Sequence, residues 1–83
     1  MGMVARLRFS AEAGLLTQGT VRRGFNKLKD EILWREPEAR VFIEEYKSGF
    51  LLKTFTFRAE NLGEEVALET KEAFELMQAS SIE

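Results

Sequence analysis

The chain has no cysteine, no histidine and a single proline among its 83 residues. Without cysteine there is no disulfide framework, no thiolate nucleophile and no cysteine-ligated zinc or iron–sulfur centre. Without histidine the side chain that titrates nearest neutrality is missing, and with it the usual general base and metal ligand. No metal or cofactor is therefore expected. No apolar run approaches the roughly 18 residues of a membrane helix, and the N-terminus lacks the apolar stretch of a signal peptide. The expectation is a soluble, cytoplasmic protein with no membrane partner. A phosphate-binding loop is missing too, because Gly19 and Gly24 are not followed by Gly-Lys-Ser/Thr.

Catalysis by carboxylates alone has little to build on. Glu44 and Glu45 are adjacent, but neighbouring residues of a strand point to opposite faces and cannot converge. Two-carboxylate chemistry also needs a cleft, which a chain this short can barely form. The chain reads as a non-enzymatic domain.

What is present is ordinary for one small globular domain: 45% apolar and 31% charged residues, with seven Phe to supply buried area. A chain this short removes only about two-thirds of its unfolded surface from water, so the core must be small. The net charge of −2 hides an asymmetry. Residues 1–58 carry eleven Lys or Arg against seven Asp or Glu, whereas residues 59–83 carry one Lys against seven Glu. A basic body with an acidic last quarter attracts a second copy or neutralises itself internally.

The central feature is Arg40–Arg58, whose runs Val41-Phe42-Ile43 and Phe50–Phe57 are rich in β-branched and aromatic residues. Ser48-Gly49 between them predicts a tight turn, giving a hairpin of Ala39–Lys47 with Phe50–Arg58. Met3–Phe9 alternates apolar Met3, Ala5, Leu7 and Phe9 with Val4, Arg6 and Arg8, the period-two pattern of a half-buried strand. Ser10–Gly19 shows no clear period. Val21, Phe25, Leu28 and Ile32 form one helical stripe, predicting a helix over about Thr20–Arg35, capped by Thr20 or Thr17 and stopped at Pro37. Asn61-Leu62-Gly63-Glu64 resembles a capping box and starts a second helix over Leu62–Ala79, with Ser80–Glu83 frayed.

The order β-α-β-β-α predicts an α+β fold. The third strand lies between the first two (order 1-3-2), and both helices cover one face of the sheet. The helix-facing set is Ala5, Leu7, Phe9, Val41, Ile43, Leu51, Phe55 and Phe57. Alternation then sends Val4, Arg6, Arg8, Arg40, Phe42, Glu44, Tyr46, Phe50, Leu52, Thr54, Thr56 and Arg58 to the other face.

Three aromatics and two aliphatics on an uncovered face mark a contact surface. The leading expectation is a homodimer, joined through this open face or the free edge of the first strand. The module would then serve binding or regulation, with a partner protein as the second candidate occupant. In a competing reading, the second helix or Ser10–Gly19 wraps round and covers the face. A different class of function, single-stranded nucleic-acid binding, would use Phe42, Tyr46 and Phe50 as stacking rings and Arg6, Arg8 and Arg58 as phosphate contacts, with Arg22, Arg23, Lys27 and Lys29 extending the positive surface. Trp34 lies about 140° from the apolar stripe by the helical step. It is expected to fold over the end of the core; exposed, it would be an anchor for a partner. The candidate interface residues are thus Arg6, Arg8, Phe42, Tyr46, Phe50, Leu52, Arg58 and Trp34.

Overall fold

A computed structural model describes residues 4–82, with side chains given through Gln78. Met3, the expected start of the first strand, lies outside the described residues. Five elements follow one another: β1 (Val4–Gly14), α1 (Gln18–Arg35), β2 (Arg40–Gly49), β3 (Leu52–Gly63) and α2 (Glu64–Ile82). β3 is the central strand, antiparallel to both neighbours, in the order β1-β3-β2. The expected α+β architecture is the one observed.

The helices share one face because the apolar residues of the strands do. Phe25 of α1 meets Phe55 and Phe57 edge-on, with centroids 6.4 and 5.5 Å away. Phe74 of α2 stacks on Phe9, which stacks in turn on Phe57 at 4.9 Å. Five of the seven phenylalanines thereby form one ring cluster at the centre of the core, surrounded by Leu28, Ile32, Ala59, Leu62 and Val66. Offset and edge-to-face ring pairs add to the area they bury. Gly24 lets the helices approach, since the end of the Met77 side chain occupies the space a Cβ would take.

Several boundaries differ from the expectation, each for a local reason. β1 continues past Phe9 to Gly14, because Ala11 and Ala13 keep facing the helices while Ser10 and Glu12 face away. Alanine and glutamate are poor strand formers, but pairing with β3 overrides propensity. α1 begins at Gln18, includes Gly19, and has Thr17 at its N-cap; the Thr17 hydroxyl donates to the Gly14 carbonyl and makes no cap bond of its own.

The hairpin turns at Phe50-Leu51, not at Ser48-Gly49. Leu51, expected on the helix face, instead occupies the turn in a left-handed conformation (φ 58°) that costs a non-glycine residue roughly 1–2 kcal/mol. Ser48 is an extra residue in β2: Lys47 faces Lys53, yet Gly49 faces Leu52. The capping box at Asn61 does not form. Asn61 sits in β3 (φ 63°) at a bulge, where Ala5 faces Leu62 but Leu7 faces Ala59, and its side-chain amide donates to the Glu38 carbonyl. The Glu36 carboxylate accepts the Gly63 N–H at 2.7 Å instead, placing negative charge at the start of α2. α2 runs on to Ile82, past the expected end at Ala79 and through Ser80–Ile82, which were expected to fray; Glu83 lies outside the described residues.

Candidate binding face and strand edges

Ladder register places the side chains that face away from the helices. Arg8, Arg58 and Phe42 form one row across the three strands; Ser10, Thr56 and Glu44 form the next; Glu12, Thr54 and Tyr46 follow. On the other side of the first row, Arg40 faces Glu60, and Arg6 stands across the bulge beside them. Among the described residues neither α2 nor 10–19 covers this face. α2 packs with α1 on the opposite side, and Ser10–Gly14 completes β1.

Arg6, Arg8, Phe42, Tyr46, Leu52 and Arg58 therefore share a face, as expected. Phe50 does not belong to it. It occupies the turn and is 89% exposed, at the same end of the sheet as the exposed Leu15 and Leu16. Trp34 is 85% exposed and neither caps the core nor joins the face. α1 stays regular to Arg35, so the tryptophan keeps its angular position away from the apolar stripe. Sequence reasoning missed Ser10 and Glu12, because it ended the strand at Phe9. Their alternation with Ala11 and Ala13 was the available signal.

The face is more polar than expected. Phe42 is only 38% exposed, because the Arg58 guanidinium lies 4.4 Å above its ring. Thr56 is buried at the centre, 3.3 Å from the Ser10 hydroxyl. The apolar side chains are separated by arginines, glutamates and threonines, so no dry patch of the kind that drives sheet-on-sheet packing is present.

Charges on the helix side are paired differently. Glu45, on the same side of the sheet as Phe55, receives two hydrogen bonds from Arg22, at 2.7 and 2.8 Å, with Lys53 at 3.5 Å. Glu44 points the other way, so this carboxylate pair does not converge. Arg35 pairs with Glu69 across the helices. The Arg22 hydrogen bond is the main reason the Glu45 carboxyl is held at about 2, below its ordinary 4.5. The folded state thus binds fewer protons than the unfolded chain between these values. The pair's stability is fully present above about pH 4.5 and is lost as pH falls toward 2. Glu45→Gln is expected to flatten the pH dependence of the urea midpoint across that window and leave it unchanged near neutrality in shape. An unchanged acid limb in the variant would contradict this.

The two edges of the sheet are built differently. On β2, Glu45 and Lys47 are charges on the helix-facing side, and the Ser48 bulge interrupts the ladder; both devices discourage a further strand. β1 has neither. Its helix-facing residues are Ala5, Leu7, Phe9, Ala11 and Ala13, it contains no proline, and the bulge opposite it lies in β3. Lys71, Phe74 and Glu75 of α2 border the same edge beside Leu7 and Phe9.

An apolar cleft of about 740 Å³ opens between α1 and α2 over Phe25, Ala73, Phe74 and Met77. Among the described residues no three His, Cys, Asp or Glu side chains gather to hold a metal ion, and no helix is long and apolar enough to cross a membrane. No protein-family model matches the chain, and neither the curated proteins nor the solved structures give a match.

Proposed function

We propose that this chain is a non-enzymatic, cytoplasmic binding module that works as a homodimer joined along β1, forming a continuous six-stranded sheet. The observation that carries the reading is the contrast between the edges: β2 is guarded by the helix-side charges Glu45 and Lys47 and a bulge, while the eleven residues of β1 carry charge only on the open-face side, at Arg6, Arg8 and Glu12, and no bulge of their own. Natural monomers protect long edges, because an unpaired row of N–H and C=O groups recruits another strand. The charge pattern favours a second copy of the same edge. Arg6 lies on one side of Phe9 and Glu12 on the other, three residues away in each direction. An antiparallel pairing centred on Phe9 sets each Arg6 opposite the partner's Glu12, an arrangement that closes with two-fold symmetry. Lys71 and Glu75 repeat the complementarity at the level of α2.

The open face is the weaker dimer surface, since packing it against itself would take Arg8, Arg58, Glu44 and Glu12 out of water, a desolvation cost that ion pairs offset only with good geometry. Light scattering on a sizing column separates the two arrangements. Wild type is expected at twice 9.5 kDa. Phe42→Glu, on the open face and away from β1, is expected to stay at that mass. A mass of one chain for folded Phe42→Glu would move the interface to the open face, and a wild-type monomer at high concentration would overturn the dimer.

A further inference from the structure

We propose that the arginine-rich half of the open face binds single-stranded nucleic acid, with phosphates held by Arg8, Arg40 and Arg58 and a base stacked at Phe42. The three guanidiniums come from all three strands and occupy two neighbouring rows of the ladder, about 7 Å apart along the strands. One carboxylate, Glu60, shares those rows. None of the three arginines has an ion pair among the described residues, whereas Arg22 and Arg35 on the helix side both do. The Arg58 Nε is buried with no hydrogen-bond partner.

Guanidiniums suit phosphate because their planar fork donates two parallel hydrogen bonds to its oxygens. Charge is also sorted by side: the glutamates of α2 lie on the far layer, so the overall acidity of the chain does not fall on this surface. The ring decides between a plain polyanion and a nucleic acid. Phe42 already carries a planar cation over its face, and a base can take or extend that stack. A flat sheet offers unpaired bases a platform but has no projecting element to enter a duplex groove. Tyr46, four residues further along the same face, is 55% exposed and gives a second ring.

The test is fluorescence anisotropy of the full chain with labelled oligo-dT, oligo-U, a duplex and heparin, over a salt series. Single strands are expected to bind with an affinity that falls as salt rises. Arg8→Glu and Arg40→Glu, both exposed, are each expected to weaken binding about tenfold or more and to lower the salt slope by about one. Phe42→Leu keeps the apolar contact but removes the ring, and is expected to weaken binding several-fold at unchanged slope. A preference between oligo-dT and oligo-U would identify which strand is bound. No binding to either at low salt, equal or tighter binding of heparin or duplex, or full affinity in both arginine variants would overturn the proposal. The β1 dimer would survive that failure, because Arg40, Phe42 and Arg58 lie off β1 and the dimer's Arg6 and Glu12 are not among the phosphate contacts. Light scattering on the same samples reads the dimer separately.

Discussion

Phe57→Ala is expected to cost about 3–5 kcal/mol of stability, the usual range for truncating a fully buried phenylalanine. The ring is 0% exposed at the middle of the central strand. It lies parallel to Phe9 (3° between planes) and edge-on to Phe25, so its removal unseats rings contributed by β1 and α1 together. The void would sit under both helices, where neither can collapse without breaking its contact with the other. A domain of this size has a total stability of only several kcal/mol, so the variant should be largely unfolded at 37 °C. Urea unfolding followed by circular dichroism provides the measurement. Phe50→Ala, at the exposed turn, is the comparison and should change stability by less than about 0.5 kcal/mol. Similar losses in both variants would mean that the ring cluster is not the centre of the core.

The hierarchy of these phenylalanines was partly legible in the sequence. Alternation assigned Phe9, Phe55 and Phe57 to the helix side and Phe42 to the other, and the helical period assigned Phe25. Strand order followed from connectivity alone. The turn was not legible, because Ser48-Gly49 carries the usual signal for it, while the chain places Leu51 in the left-handed conformation and leaves glycine with negative φ. The start of α2 misled for a related reason: Asn61 suits both an N-cap and a left-handed bulge, and pairing with β1 selects the bulge. The cap came from Glu36, 27 residues away, which no local pattern could reveal.

The candidate face was legible in its members and not in its character. Listing Phe42, Tyr46, Phe50 and Leu52 suggested an apolar patch. Register shows Phe42 beneath Arg58, Phe50 outside the face, and Ser10 and Glu12 added to it. That shift in composition moves the expected interface from the face to the edge, and leaves the arginines available for an anion. Trp34 remains exposed with no contact that explains it.

Arg6→Glu is expected to weaken self-association about tenfold or more. Two symmetric pairs with the partner's Glu12 are lost and become like-charge contacts, each worth a few tenths to about 1 kcal/mol in either sense. Glu12→Arg should weaken it similarly, by setting arginine against arginine. Both residues are exposed, and the one hydrogen bond that Glu12→Arg removes within the chain, from the Ser48 hydroxyl at 3.0 Å, lies at the surface, so the fold should be little affected. The charge-swapped double variant, Arg6→Glu with Glu12→Arg, restores opposite signs across the edge and should recover most of the wild-type affinity. Such recovery is a coupling that two independent surface changes would not produce.

Sedimentation equilibrium on these four proteins is the most direct test of the β1 dimer. The predicted result is a wild-type dimer, a weakened dimer for each single variant, and recovery in the double variant. Four indistinguishable dissociation constants, or a double variant weaker than either single one, would contradict pairing along β1.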